Sequence, residues 1–109
     1  MPHLRFRGLK KEEVMEVSVD LIDKLSAIME CPKVHFTLEH ISSLYIADGE
    51  EAKVKYGFVE IMWFKRSDEI KQLVASAITS SLSKYDREDV SIYFYDMEKE
   101  NYFKNGVLF

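Results

Sequence analysis

Hydrophobic and polar positions alternate at the start of the chain and then change period. Residues 2–7 alternate between apolar and polar side chains, which predicts a half-buried strand. From residue 12 onward apolar side chains recur three or four positions apart, which predicts an amphipathic helix that ends before Pro32. Residues 36–41 alternate again and predict a second strand. The apolar positions of this first helix are Val14, Val17, Leu21, Leu25 and Ile28.

The same order of elements is then repeated. Residues 58–64 are apolar on both faces, which is typical of a central strand covered on both sides. Ser67 is a predicted N-cap, and Asp68 and Glu69 suit the positive end of the helix that follows. Residues 90–95 alternate as a fourth strand. The predicted stripe of this second helix consists of Ile70, Leu73, Val74, Ala77, Ile78, Leu82 and Tyr85.

Two segments lie outside these elements. Asp48-Gly49 is a turn signal within an acidic loop that we expect to run to about Tyr56. The tail at 102–109 contains Asn105-Gly106, which predicts a small hairpin or an edge strand beyond a turn.

This order predicts an α/β (α+β) fold in one domain, residues 1–109, with a pseudo-repeat at 2–46 and 57–103. Two consecutive βαβ units with right-handed crossovers are expected to merge into one four-stranded mixed sheet with both helices on one face. The other face would then carry Tyr93 and Tyr95. Because a large aromatic face seldom stays in water, we expect a homo-oligomer formed through it.

Composition excludes several kinds of partner. The chain of 109 residues has a net charge of −4 and no basic run, so neither nucleic acid nor an anionic membrane is expected to bind. The longest uncharged stretch, 72–83, is too short to span a bilayer, and the start of the chain lacks the apolar core of a signal peptide. We therefore expect a cytoplasmic protein.

Metal and cofactor sites are not predicted either. Cys31 is the only cysteine, and we interpret it as a small buried hydrophobe. His3, His35 and His40 have no ligand spacing typical of a metal site. Glu60 is the only charge in its apolar strand, and we expect it to pair with an arginine of the first strand, Arg5 or Arg7, at a subunit contact; a role as catalytic acid is the alternative.

Pro2 is the main candidate for chemistry. Removal of Met1 would make its nitrogen a secondary amine, and an α-amino group titrates near ~7.7–8.0. An apolar pocket disfavours the charged form, so this amine would be neutral near physiological pH and available as a base. The alternative is a poorly ordered terminus that tolerates proline. If Met1 remains, the nitrogen is an amide.

Several motifs in the same order resemble the tautomerase superfamily, which includes macrophage migration inhibitory factor (MIF) and 4-oxalocrotonate tautomerase (4-OT). Pro2 occupies the position of the family's proline. Residues 63–71 are similar to the helix opening of short 4-oxalocrotonate tautomerases, and residues 90–97 resemble the last long strand of migration inhibitory factor. The tail at 105–109 fits that factor in length and terminal Phe. The chain is similar to an uncharacterised bacterial branch, a domain of unknown function.

The resemblance implies a homotrimer that transfers protons on a small keto or enol carboxylate without a cofactor. Pro2 matches the general base, and Arg66 matches the arginine that handles substrate and transition-state charge. Phe64 falls near an apolar pocket wall. Tyr93 and Tyr102 fall near residues that complete the pocket from a neighbouring subunit.

Two positions depart from the family pattern. Ser91 replaces the second arginine of the short tautomerases, so one expected cation is absent. Cys31 stands where migration inhibitory factor has a lysine, and Lys33 lies two residues later. Lys33 either compensates for that lysine or is simply solvated. A non-catalytic trimeric binding or structural module on the same fold is therefore the alternative function.

Overall fold

Two α-helices cover one face of a four-stranded mixed sheet. The structure is a computed structural model that describes residues 1–53 and 56–109. The elements are β1 (His3–Arg7), α1 (Lys11–Met29), β2 (Thr37–Ile41), β3 (Tyr45–Ala47), β4 (Glu50–Ala52), β5 (Tyr56–Trp63), α2 (Asp68–Leu82), β6 (Asp89–Asp96), β7 (Phe103–Lys104) and β8 (Val107–Leu108). Short 3₁₀ turns lie at Lys33–His35 and Lys99–Asn101.

The sheet order is β2-β1-β5-β6. Strands β1 and β2 are parallel, as are β5 and β6, and β1 pairs with β5 in the antiparallel direction. The predicted mixed sheet and α+β class are confirmed. Because β1 and β5 run in opposite directions, the start of β1 lies beside the end of β5, where His3 pairs with Met62. This register brings two distant parts of the sequence to one end of the sheet.

The core lies between the helices and one face of the sheet. Side chains that point to the helices are buried along β1 and β5: Leu4, Phe6, Val59, Ile61 and Trp63. The predicted stripe of α1 is confirmed at Val14, Val17, Leu21 and Leu25, and Met29 is the buried residue of the last turn, whereas Ile28 is partly buried.

Helix α2 begins as predicted and differs from the prediction at two apolar positions. The Ser67 hydroxyl accepts a hydrogen bond from the Ile70 amide (3.2 Å), which confirms the N-cap. Leu73 is 55% exposed. Successive residues of an α-helix are rotated by about 100°, and the neighbouring Val74 is the one that points into the core. Tyr85 lies in a turn after the helix ends at Leu82, and it is partly buried against the core from there.

Two short hairpins extend from the sheet. The acidic segment predicted as a loop contains β3 and β4, joined by Asp48-Gly49, where both residues have positive φ (53° and 77°). These angles are typical of the type I′ turn that matches strand twist. Asn105-Gly106 joins β7 to β8 in the same way and confirms the predicted tail hairpin. The predicted loop also included residues 54 and 55, which lie outside the described residues.

The sheet face opposite the helices is open in the single chain. Tyr93 and Tyr95 are exposed on it, as predicted. This face also carries charges, because Glu60 pairs with Arg7 at 3.5 Å. The pairing is therefore made within one chain, not at the subunit contact that the sequence suggested. The pKa of Tyr95 is raised, and the largest cause is a hydrogen bond to Glu60. Glu60 therefore connects the ion pair with Arg7 to the exposed tyrosines of this face.

Candidate functional site

Pro2 is fully buried at the entrance to β1. Its carbonyl accepts a hydrogen bond from the Thr37 amide at 3.1 Å, which ties it to the start of β2. A poorly ordered terminus does not fit this packing. Met1 precedes Pro2 here, so the prolyl nitrogen is an amide and the free amine belongs to Met1.

The chain's amine lies in a half-buried, positively charged environment. Burial is the largest cause that lowers its pKa, and the positive charge of Arg66 is the next; Cys31 acts in the opposite direction, and Lys99 adds a smaller lowering. Arg66 reaches this place because it follows the end of β5, beside the start of β1. Within residues 1–53 and 56–109, Arg66 makes no ion pair with a carboxylate. Its guanidinium is therefore available to an anion.

Three aromatic rings form a wall beside this amine. Phe64 packs edge-on against Tyr102 (5.4 Å between ring centroids) and stacks on Phe109 (5.6 Å). Tyr102 and Phe109 are 5.1 Å apart, and the Phe109 amide donates to the Tyr102 carbonyl at 2.9 Å. The Lys99 ammonium lies 5.9 Å from the centre of the Phe64 ring. The sequence pointed to Phe64 and Tyr102. It identified the terminal Phe109 only as part of a family-like tail and gave no signal for Lys99, so neither was predicted to lie at this site.

His3 connects this wall to the sheet. Its Nδ1 lies 2.5 Å from Thr37 Oγ1, and its Nε2 lies 3.0 Å from Tyr102 Oη. Burial lowers the pKa of His3, the N-terminal amine lowers it further, and Glu39 acts in the opposite direction. The alternation of side chains along β1 directs His3 to the face opposite Pro2. The side chain does lie on the open face, yet its contact with Tyr102 places it at the candidate site.

The remaining predicted residues lie elsewhere in the single chain. Lys33 pairs with Asp23 at 2.5 Å, and both side chains are largely exposed. Ser91 and Tyr93 lie on β6, where they pair with Phe58 and Glu60 of β5. Both are several residues from the end of β6 that lies nearest Pro2. At about 3.3 Å per residue, Ser91 is roughly 17 Å along the strand from that end. Their role in a pocket between subunits stays a prediction.

Two clefts are relevant to binding. The larger, about 1050 Å³, lies at the opposite end of the sheet from Pro2, between the β3–β4 hairpin and the start of β5 and β6. A smaller one of about 400 Å³ is lined in part by Tyr102 and lies next to the aromatic wall, with Asp96, Met97, Glu98 and Asn101 as its other lining residues. The candidate site is thus a shallow region in the single chain.

In the described ranges, no group of three or more histidine, cysteine or acidic side chains is placed to hold a metal ion. Of the helices described, none combines the length and the apolar character that a membrane crossing requires.

Comparison with known proteins gives the chain's relationships. A crystal structure from Sebaldella termitidis ATCC 33386 is described as a domain of unknown function (DUF1904). Its sequence is 35% identical to this chain, with a TM-score of 0.94, and the match covers all of both chains. A protein of unknown function from Vibrio cholerae O1 biovar eltor str. N16961 is 28% identical, with a TM-score of 0.86, over 99% of this chain and 87% of that one. A search of curated proteins found no match.

More distant structures share the fold. The MIF-like protein of Entamoeba histolytica is 15% identical, with a TM-score of 0.74, over 99% of this chain and 98% of that one. A fused 4-OT described as an asymmetric trimer is 11% identical, with a TM-score of 0.72, over 95% of this chain and 93% of that one. At these identities the likeness concerns the fold alone.

The family profile that matches residues 1–107 is described as Domain of unknown function (DUF1904). The chain therefore belongs to the DUF1904 family, and it shares its fold with the MIF-like protein and the fused 4-OT.

Proposed function

We propose that this protein is a small tautomerase that moves a proton within a keto or enol compound bearing a carboxylate, with Pro2 as the general base once Met1 is removed. The observation that carries the proposal is that the partly buried amine of Met1 and the Arg66 guanidinium lie close enough for the Arg66 charge to lower the amine's pKa, at the end of the sheet where the buried Pro2 enters β1. A base and a cation side by side are what this reaction needs: one takes the proton, and the other holds the acidic substrate.

The environment suits the base. Burial and the Arg66 charge both favour a neutral amine at the start of the chain, because each disfavours a second positive charge there. Removal of Met1 would transfer this role to the prolyl nitrogen, one residue further into the structure. A neutral secondary amine at physiological pH removes a proton without a helper base.

The substrate class follows from the other groups. The guanidinium of Arg66 matches the planar fork of a carboxylate, and no carboxylate among the described residues competes for it. Phe64, Tyr102 and Phe109 offer an apolar wall of a size that suits an aromatic or short aliphatic substituent. We therefore expect a small carboxylate-bearing keto or enol compound.

We also propose that the pocket is completed in a homotrimer. Tyr93 and Tyr95 are exposed on the open sheet face, and Phe103, Val107 and Leu108 are exposed on the tail hairpin. Assembly through these surfaces would bury them and would bring Ser91, Tyr93 and Lys33 of one subunit within reach of another subunit's Pro2. Light scattering coupled to size-exclusion chromatography tests this, because a monomer at micromolar concentration would contradict it.

A non-catalytic binding module is the second candidate. The observation that favours it is the position of the larger cleft, which lies near Ser91 and away from Pro2. Such a protein would bind its ligand without using the amine at all.

The test compares two forms of the untagged full chain. In one, mass spectrometry confirms that Met1 is absent; in the other, one added alanine before Pro2 turns the prolyl nitrogen into an amide. We expect the first form to tautomerise phenylpyruvate or 2-hydroxymuconate and the second to be slower by about 10²-fold or more. A Pro2→Ala variant, which keeps an amine at the same position, should fall between them.

The outcomes separate the two candidates. Equal rates in the free and blocked forms would contradict prolyl catalysis. No turnover in either form would favour the binding module. Retention of Met1 in the protein as produced by its own host would remove the base.

A further inference from the structure

Three polar side chains form a continuous chain of contacts beside Pro2. Thr37 Oγ1 lies 2.5 Å from His3 Nδ1, and His3 Nε2 lies 3.0 Å from Tyr102 Oη. The His3 and Tyr102 rings are nearly parallel, with an angle of 15° and a centroid distance of 6.1 Å. The Tyr102 ring is also held between Phe64 and Phe109, so its hydroxyl has little freedom to move.

The direction of the hydrogen bonds decides what Tyr102 can do. A neutral imidazole donates from one nitrogen and accepts at the other. If Nε2 carries the proton, it donates to Tyr102 Oη, and Nδ1 accepts from the Thr37 hydroxyl. The Tyr102 proton is then free to point at a bound molecule. In the opposite arrangement the Tyr102 hydroxyl donates to His3 and offers the pocket no donor.

We propose that His3 is a positioning residue that accepts from Thr37, donates to Tyr102, and so directs the Tyr102 hydroxyl toward the substrate oxygen beside Pro2. The inference rests on the proposed function and adds to it a role for a residue next to the base. It assigns to Tyr102 the task of stabilising the charge that develops on that oxygen.

The reaction step is balanced without a co-reactant. The neutral Pro2 nitrogen takes a proton from the carbon next to the carbonyl. The electron pair of that C–H bond forms the C=C bond of the enolate, and the π pair of the C=O bond moves onto the oxygen. The Tyr102 hydroxyl donates a hydrogen bond to this oxygen and keeps its proton. The protonated Pro2 amine then returns the proton, to the oxygen in a simple keto–enol pair such as phenylpyruvate or to the other carbon of a conjugated enol such as 2-hydroxymuconate. A preorganised donor of this kind lowers the barrier because it needs no rearrangement when charge appears.

The charges around His3 favour the neutral ring that this arrangement requires. The charged neighbours of His3 along β1 are the positive amine and Arg5. On the adjacent strand β2 the charged neighbour is Glu39, which pairs with Arg5 at 2.6 Å. Its neighbour on β5 is the apolar Met62, and the tail contributes the Tyr102 hydroxyl. Burial lowers the pKa of His3 first, the amine lowers it next, and Glu39 offsets part of this.

The experiment uses the processed full chain and three variants. Tyr102→Phe removes the donor, His3→Asn removes the Nε2 donor, and His3→Gln keeps an N–H group near the Nε2 position. With phenylpyruvate as substrate, we expect Tyr102→Phe to lower kcat by about 10²-fold, as for the loss of one oxyanion donor. We expect His3→Asn to lower kcat by at least about tenfold with little change in KM, and the double variant to add little to Tyr102→Phe.

Conservative rescue and a second histidine provide the controls. His3→Gln should recover most of the activity lost in His3→Asn. His40→Asn should keep wild-type activity, because this partly buried histidine pairs with Phe6 and bonds the Leu9 carbonyl (2.8 Å), toward the end of β1 that lies away from Pro2. Thermal unfolding of each variant shows whether the fold is kept, and ¹⁵N NMR of the His3 ring reads the protonated nitrogen directly.

Each result decides a different claim. If wild-type protein turns over no tautomerase substrate, the proposed function fails, and the role of His3 fails with it. If wild-type protein is active but His3→Asn is equally active, the positioning role alone is overturned. A ring protonated at Nδ1 in the presence of a competitive inhibitor would also overturn it.

Discussion

The guanidinium of Arg87 donates to the carboxylate of Glu13 at 2.6 Å, although 74 residues separate them in the sequence. Arg87 also donates to the Gly8 carbonyl at 2.8 Å, and Glu13 accepts from the Lys10 amide at 2.7 Å. The two side chains are only 9% and 16% exposed. This pair therefore fastens the end of β1 and the first turn of α1 to the segment that precedes β6.

Loss of Arg87 should destabilise the fold strongly. Arg87→Ala leaves the Glu13 carboxylate largely buried without its partner, which costs about 3 kcal/mol or more in free energy of unfolding. Arg5→Ala is the matched control, because its pair with Glu39 is about half exposed and contributes at most about 1 kcal/mol. Urea unfolding measures both. Similar losses in the two variants would show that the buried pair has no special weight.

Gly8 should not tolerate a side chain. Its φ is +78°, and a Cβ atom there would lie 1.9 Å from the Tyr56 carbonyl oxygen, so the backbones of β1 and β5 would have to separate. Gly49→Ala is the control: its φ is +77°, but a Cβ atom would meet nothing within 4 Å. We expect Gly49→Ala to lose about 1–2 kcal/mol of stability from left-handed strain, and Gly8→Ala to lose clearly more. Equal urea midpoints would contradict this.

The architecture was predictable because short-range periodicity determined it. The alternation at 2–7 and the spacing from Val14 to Leu25 each depend on which face is buried, and burial repeats along the chain. The turn at Asn105-Gly106 was predictable because its backbone angles favour those residues. Leu73 shows the limit of this reasoning, since an apolar residue at the margin of a stripe has no sequence signal that decides its exposure.

The candidate site was predictable only in part. Arg66 and Phe64 were placed by resemblance to a motif, and the antiparallel pairing of β1 with β5 explains why they lie beside Pro2. The contacts of Phe109 and Lys99 with Phe64 were not predictable, because the turn at Asn105-Gly106 predicts a hairpin but not the surface against which the tail packs. The sequence alone does not decide between the two roles of Lys33, because its ion pair with Asp23 depends on the packing of the preceding helix.

Stability at high pH should report the environment of Tyr85. Its hydroxyl donates to the Glu13 carbonyl (3.1 Å) and the Glu16 carboxylate (2.7 Å), and burial, followed by the bond to Glu16, raises its pKa to about 12. Because the folded pKa lies above the ordinary value of about 10, the phenol ionises first in the unfolded chain. Its contribution is complete below pH ~10 and is lost as the pH rises toward 12.

The check compares unfolding free energies of wild type and Tyr85→Phe between pH 8 and 12. We expect the variant to be less stable by about 1 kcal/mol near pH 8 and the difference to shrink above pH 10. Tyr93→Phe, at an exposed ring on the open face, should follow the wild-type curve. A constant difference across this range would contradict the assignment.

Arg66 should control both substrate binding and the pH at which the base becomes active. In the processed protein the amine must be neutral to take a proton, so kcat/KM should rise with pH through the amine's pKa and then level off. Arg66 lowers the pKa of the Met1 amine through its positive charge, and we expect the same effect on the prolyl amine one residue away. Arg66→Gln should therefore move the rising limb to higher pH. It should also raise KM for phenylpyruvate by about tenfold or more, the size expected for a lost hydrogen bond to a charged group. Lys65→Gln, at the exposed neighbour, should change neither quantity appreciably. An Arg66→Gln profile that coincides with wild type would separate Arg66 from the chemistry of Pro2.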